Sequence, residues 1–131
     1  MSSFNGGCHC MLCEIEDESH DHLFFHCRYS SKMWEILTRL GKVQWPNCNW
    51  DRMLRWAGKK FSKKKRFHNV LAKHMLATAV YFVWTERNHR TFRNQRKPAN
   101  VLAHEAAMQI RLLLMSYSGH IPDHARASWN V

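Results

Sequence analysis

Apolar residues recur at helical spacing through most of the chain. Met33, Trp34, Leu37 and Leu40 share one face of a segment that Ser30 or Ser31 can cap and Gly41 can end. Residues 42–48 read as a loop around Trp45-Pro46-Asn47, because proline lacks an N–H and steers its predecessor away from the α region. Asn49 can cap a short helix over Trp50 to Trp56 that closes near Gly58. The longest pattern opens at Ser62 and runs to about Phe92. Phe67, Leu71, His74, Thr78, Tyr81 or Phe82, Thr85 and Phe92 recur there at helical steps, with no Gly or Pro between them. Its centre, residues 75–84, is apolar nearly all round, which predicts burial on several sides. Asn94 to Pro98 interrupts the pattern, and a last helix from about Ala99 to Tyr117 places Leu102, Ala106, Gln109 or Ile110, Leu113 and Tyr117 on one stripe. Gly119 and Pro122 end it. No stretch alternates apolar and polar residues long enough to demand a strand, apart from a short one beside the cysteines. The expected fold is mostly α. A basic body of three to four helices with one long central helix spans residues 31–118, and a flexible tail covers 119–131.

Length and composition narrow this further. A chain of 131 residues, 45% apolar and 12% aromatic, accommodates one domain with a sustained core. The longest nearly apolar run, Met75 to Trp84, is ten residues, about half of what crosses a bilayer, so no membrane span is expected. The formal charge of +10 hides two opposed segments. Residues 1–30 hold Arg28 against five acids (Glu14, Glu16, Asp17, Glu18 and Asp21), a net of −4, while the remaining nineteen basic residues and five acids give +14. Four of the five cysteines lie in the acidic part. An odd count with no apolar leader at Met1 to Gly7 predicts metal-bound thiolates in a reducing, intracellular setting rather than a disulfide framework.

Those cysteines have metal-ligand spacing. Cys10, Cys13, His22 and Cys27 read C-x2-C-x8-H-x4-C. A C-x-x-C turn brings two thiolates to one side of an ion while its backbone amides can bond the sulfurs. Three thiolates and one imidazole suit Zn²⁺, which accepts soft sulfur and borderline nitrogen in a tetrahedron. His22 belongs early in a short helix begun near Ser19, with Cys27 just past its end; five residues apart, the two would not share one straight α-helical face. Cys8-His9-Cys10 offers a competing pair, so the register stays open on spacing alone. A module over residues 8–30 is too small to bury its own core and draws its folding energy largely from metal, with Leu23-Phe24-Phe25 docking it on the helices. Four protein ligands leave no position for water, and neither an H-E-x-x-H nor a deaminase H-x-E with P-C-x-x-C is present, so the zinc is expected to be structural.

The string Glu18-Ser19-His20-Asp21-His22-Leu23-Phe24-Phe25-His26-Cys27-Arg28-Tyr29-Ser30, with Cys10-Met11-Leu12-Cys13 before it and Met33-Trp34 after it, resembles the zinc-binding domain of reverse transcriptases from plant non-LTR, LINE-type retroelements. Tyr81-Phe82-Val83-Trp84-Thr85-Glu86-Arg87-Asn88-His89-Arg90-Thr91-Phe92 resembles the same family's companion helix, of the form I-W-x-E-R-N-x-R-x-F. The likeness covers roughly residues 8–93. It implies zinc on Cys10, Cys13, His22 and Cys27, and so the register without Cys8. It also implies what is not here: the chain contains no Tyr-x-Asp-Asp of a polymerase and no spaced acids of a ribonuclease H, so it reads as an isolated accessory domain whose partner would be a reverse transcriptase polypeptide, or alternatively as a retroelement remnant put to other use or retaining no nucleic-acid binding.

Two basic clusters remain. Lys59, Lys60, Lys63, Lys64, Lys65 and Arg66 place six positive charges within eight residues at the expected N-terminus of the long helix, where the helix dipole opposes them and an anionic ligand would offset the cost. The run also has the length of a nuclear localisation segment. Arg87, Arg90, Arg93 and Lys97 follow at three- and four-residue steps and form a second stripe. The expected partner is RNA or DNA, held through phosphates, with Trp and His available to stack on unpaired bases. The competing reading makes the charges a solvated face, pairs Arg87 with Glu86 or Glu35, and packs Trp34, Trp56 and Trp84 as core in a module that contacts protein only. No catalytic constellation is present: Cys48 sits between asparagines with no motif around it, and the histidines outside the cluster are scattered. The sequence thus points to a non-catalytic zinc-binding accessory domain that binds nucleic acid through basic helices.

Overall fold

A computed structural model describes residues 9–43, 45, 49–60 and 67–131. Among these residues the fold is mostly helical: a π-helical turn at His22–His26, then α1 (Arg28–Gly41), α2 (Trp50–Lys60), α3 (Phe67–Phe92), α4 (Ala99–Met115) and α5 (Asp123–Trp129). The extended pairing expected near the cysteines is a single antiparallel bridge between His9 and Asp17.

Helix α1 begins earlier than its serines. Cys27 is the N-cap, in extended conformation, and its carbonyl accepts Ser31 N–H at 2.8 Å, while Ser30 Oγ donates back to the same carbonyl at 3.2 Å. Met33, Leu37 and Gly41 then fall on one buried face. The helix stops because Lys42 turns left-handed at φ 53° and donates its N–H to Thr38 O at 2.7 Å. Helix α2 starts at Trp50 as its residues forecast, with Asn49 Oδ1 accepting Arg52 N–H at 2.9 Å. It runs through Gly58, whose missing side chain faces open space, to Lys60.

Helix α3 has 26 residues and is about 39 Å long. Its buried residues are Phe67, Asn69, Leu71, Ala72, Met75, Thr78, Ala79, Val83 and, at its far end, Glu86 and Arg87. Of the expected stripe, Phe67, Leu71 and Thr78 are buried, His74, Phe82 and Thr85 are half-buried, and Tyr81 and Phe92 are exposed, so the buried and expected stripes diverge beyond Thr78. Tyr81 is 64% exposed, Trp84 38% and Phe92 76%, so the apolar centre of the helix is not buried all round. Alanines at 72 and 79 of α3 and at 99, 103 and 106 of α4 keep the helix axes close, and both helices pack on α1. Gly41 ends α1 at a close approach: an added Cβ would press on the Met75 thioether.

Residues 119–131 are not a loose tail. Pro122 caps α5, and Ile121, Ala125 and Trp129 are buried in the same core as the rest of the molecule. Ser128 Oγ donates to Leu40 O at 2.7 Å, fixing α5 against the end of α1, and Arg111 Nε of α4 donates to Asn130 O at 2.9 Å just past the end of α5. Three apolar residues spaced four apart were the available signal in the sequence. Cys10, Leu12, Leu23, Phe24 and Cys27 join this core as well, so the Cys/His segment and the helices share one hydrophobic interior.

Candidate metal centre

Cys10, Cys13, His22 and Cys27 come together, with their ligand atoms all within 4.8 Å of one another. Local backbone chemistry explains how. Cys10 N–H donates to Glu16 O at 2.7 Å and Glu14 N–H to Cys10 O at 2.8 Å, closing a tight turn in which Glu14 adopts φ 60°. Leu12 N–H points at Cys10 Sγ, 3.4 Å away, as a C-x-x-C turn allows. Ser19 Oγ accepts His22 N–H at 3.1 Å and Ser19 O accepts Leu23 N–H at 2.8 Å, which launches the following turn. That turn is π-helical: Cys27 N–H bonds His22 O at 2.7 Å, an i to i+5 closure. The π geometry brings residues five apart to one side, which an α-helical turn would not.

The distances suit a tetrahedral ion. Cys10 Sγ and Cys27 Sγ are 3.9 Å apart, and Cys13 Sγ is 3.3 Å from His22 Nε2. Tetrahedral zinc with its usual bond lengths sets these edges at about 3.8 Å and about 3.6 Å. Cys10, His22 and Cys27 are buried and Cys13 is half-buried. Glu16 Oε2 lies 3.4 Å from His22 Nδ1, so a carboxylate faces the ring nitrogen that would not bind the ion and favours the tautomer that leaves Nε2 open. Without metal, the Cys10 thiol donates to the Cys27 sulfur. That bond, followed by burial, pushes Cys10 well above the ordinary thiol range, and the same bond lowers Cys27.

A polar clamp holds the turn from behind. Arg87 Nη2 donates to Glu18 Oε2 at 2.9 Å and its Nε reaches both carboxylate oxygens at 3.3 and 3.2 Å. Glu18 Oε1 also accepts Met11 N–H at 3.3 Å. Arg90 Nη1 donates to Met11 O at 3.2 Å and Leu12 O at 3.0 Å, the two middle carbonyls of the C-x-x-C turn. Its Nε pairs with Glu86 at 2.8 Å, and its guanidinium lies 4.7 Å above the Tyr29 ring. Tyr29 OH and Arg90 Nη2 both donate to Lys97 O, at 2.6 and 3.0 Å, and Lys97 N–H donates to Glu86 at 2.9 Å. Burial pushes the Tyr29 phenol up to about 12.

This clamp corrects two expectations. Arg87 and Arg90 do not form a solvent stripe for phosphate; both side chains are buried and committed to the turn, because the helix face that carries them is the one α3 packs inward. Nor is Glu86 or Glu35 the partner of Arg87; Glu18 is. Arg93 is exposed, Lys97 is half-buried and pairs with Glu105 at 2.9 Å, and Lys59 and Lys60 are exposed at the end of α2. Lys63, Lys64, Lys65 and Arg66, like Cys8, lie outside the described residues. Glu16, Glu18, Arg87 and Arg90 are the supporting residues that spacing arguments missed, since nothing local in the sequence pairs positions 69 or 79 residues apart.

The Leu23-Phe24-Phe25 triplet docks the turn as expected. Leu23 and Phe24 are buried, Trp34 Nε1 donates to Phe24 O at 2.6 Å, and Phe24 and Phe25 pack on Trp50 with ring centroids 5.0 and 5.8 Å away. Asp21 Oδ1 accepts Trp50 N–H at 2.7 Å, tying the first turn of α2 to the centre. No helix among the described residues is long and apolar enough to cross a membrane. No family model, curated protein or solved structure matches the chain.

Proposed function

We propose that this protein is a zinc-organised, non-catalytic accessory domain of reverse-transcriptase origin that binds RNA or DNA through its basic surface. The observation that carries the zinc assignment is the closed set of three sulfurs and one imidazole nitrogen, at edges matching a tetrahedral ion. Four protein donors leave no position for a substrate water, so the ion organises the fold and does not hydrolyse. The two segments that resemble the reverse-transcriptase domain meet at this centre. Glu18 of the first pairs with Arg87 of the second, and Arg90 holds the carbonyls between Cys10 and Cys13, which supports reading them as one functional unit.

Nucleic acid is favoured by charge. The chain carries +10; Arg87 and Arg90 are engaged inside, Arg52, Arg55, Lys59, Lys60 and Arg93 are exposed, and the sequence adds Lys63, Lys64, Lys65 and Arg66, which together would supply phosphate contacts. The same run would serve for nuclear import. A second reading has its own support. Val101, Met108, Leu112 and Met115 leave an apolar stripe on α4 exposed, which fits docking on a larger polypeptide.

Metal analysis followed by RNA and DNA titration separates the readings. About one zinc per chain is expected, with binding that falls steeply between low and high salt. Zinc-free protein of unchanged fold would remove the metal assignment. A flat salt response, or no binding to either nucleic acid, would favour the protein-contacting module.

A further inference from the structure

On the side of α3 turned away from its buried stripe, Lys73, Ala77, Tyr81 and Trp84 follow one another at steps of four, four and three residues and are all exposed. Across from them stand Trp50 at the start of α2 and His20 and Phe24 of the metal-bearing segment. Together they wall an open groove of about 450 Å³ with Ala77 and Val80 as its floor. Tyr81 separates this groove from a second one of about 420 Å³ toward Gln109 and Leu113 of α4.

Two properties single the first groove out. Its walls are rings, not aliphatic chains: His20 stacks on both Phe24 and Trp50, with centroids 6.3 and 5.9 Å apart. On the opposite wall Tyr81 and Trp84 are 64% and 38% exposed, with the Arg87 guanidinium 5.4 Å from the Trp84 ring centroid, and an exposed ring accepts a flat ligand such as a nucleobase. The helix leading away from the groove is also positive. Arg52, Arg55, Lys59 and Lys60 of α2 are exposed against a single exposed acid, Asp51, over a helix about 16 Å long, the rise of about five stacked nucleotides. Lys73 adds a charge on the α3 side.

We infer that this groove is a stacking site for unpaired bases, and that the protein selects single-stranded over double-stranded nucleic acid there. The inference rests on the nucleic-acid reading above and assigns its base-contacting residues: Tyr81 and Trp84 on one wall, Trp50 and His20 on the other, with α2 following the backbone. Duplex bases are stacked on one another and present no free face, so the groove cannot hold them. Zinc enters only indirectly, by holding the segment that carries His20 and Phe24.

The test is titration of the zinc-loaded full chain with a 12-nucleotide oligouridine and with a hairpin duplex of matched length, followed by intrinsic tryptophan fluorescence at two salt concentrations. Expected are quenching by the single strand, weaker binding of the duplex, and a loss of about tenfold in single-strand affinity for Tyr81→Ala, whose side chain is 64% exposed and touches the Phe82 ring edge-on. Tyr81→Phe should bind like the parent, since a phenyl ring still stacks. The salt slope should stay the same in Tyr81→Ala, because stacking carries no charge, and shallow by about 1.4 in the double variant Lys59→Ala, Lys60→Ala. Single-strand binding that is indifferent to Tyr81→Ala overturns this inference and leaves the broader nucleic-acid reading intact. Absence of any oligonucleotide binding at low salt overturns both. Capture of an amphipathic helical peptide by the groove, with the oligouridine ignored, overturns it in favour of a protein partner.

Discussion

Glu18 and Arg87 lie 69 residues apart in the chain and form an ion pair whose side chains are only 1% and 9% exposed. The pair joins the metal-bearing turn to the end of α3. A buried pair of this kind contributes little net stability over an apolar replacement, but removing one partner strands the other charge out of water. Arg87→Ala should therefore cost about 3–5 kcal/mol in denaturant unfolding. The double variant Glu18→Leu, Arg87→Met should recover much of that loss. A double-mutant cycle with additive losses would show that the two side chains do not act as a pair.

Metal affinity should rise with pH. Cys10 sits well above the ordinary thiol range and must give up its proton to bind, so at least this proton is released on metal uptake. The sign follows: protons compete with zinc below the folded value of Cys10, and affinity climbs by at least about tenfold per pH unit. Competition with a chromophoric chelator at pH 6, 7 and 8 measures the slope. Cys13→Ser should lose zinc and melt cooperatively at lower temperature; unchanged zinc content would remove Cys13 from the ligand set.

The ligands and most helices were readable because they depend on local spacing: C-x-x-C fixes two sulfurs, and periodic apolar residues fix a helix whatever surrounds it. What stayed hidden depends on distant partners. The stripe of α3 that faces inward is chosen by the small residues of α4 and by the turn that Arg87 and Arg90 clamp, so Arg87, an evident surface charge by its type, is interior. The π turn that aims His22 and Cys27 at one point has no signature in the residues it contains. Trp84 was placed in the core by periodicity, yet it lies more than a third exposed because α3 turns that side to solvent.

His74 should sensitise the fold to mild acid. Burial first, and the charge of Lys73 second, lower its pKa below the ordinary 6.5. A histidine so depressed contributes stability that is fully present above pH 6.5 and is lost as pH falls through the depressed folded value. His74→Asn should therefore lose less thermal stability than the parent between pH 7 and pH 5, with zinc saturating in both. Parallel curves would assign the acid sensitivity elsewhere.

Four non-glycine residues hold left-handed backbone, Glu14, Lys42, Asn94 and Asn130; asparagine tolerates it, so glycine would relieve strain chiefly at the other two. Lys42, at φ 53°, is exposed and ends α1. Lys42→Gly should raise stability by about 0.5–1 kcal/mol, a shift of about 2–4 °C in Tm. Glu14, at φ 60° beside the metal turn, also pairs with Arg96 at 2.5 Å, both side chains being more than half exposed. Glu14→Gly trades that exposed pair for backbone relief, so its gain should be smaller than that of Lys42→Gly. The reverse order in thermal melts would mean that the Glu14 turn is less constrained than its dihedral implies.

The C-terminal helix offers the sharpest contrast with a loose tail. Trp129 is 4% exposed and packs in the core near Gly41, yet its indole Nε1 is buried without a hydrogen-bond partner among the described residues. Its ring area stabilises, while its N–H costs about 1–3 kcal/mol for lost hydration. Trp129→Ala removes both and leaves a cavity against α1, so a loss of about 3–5 kcal/mol is expected. Trp129→Phe keeps an aromatic ring and removes the orphaned donor; the two effects oppose, and its stability should lie near that of the parent. Truncation after Ser118 should resemble Trp129→Ala in denaturant unfolding. If both truncation and Trp129→Ala leave the unfolding midpoint unchanged, α5 contributes nothing to the core, and residues 119–131 behave as the tail that their Gly and Pro residues alone would imply.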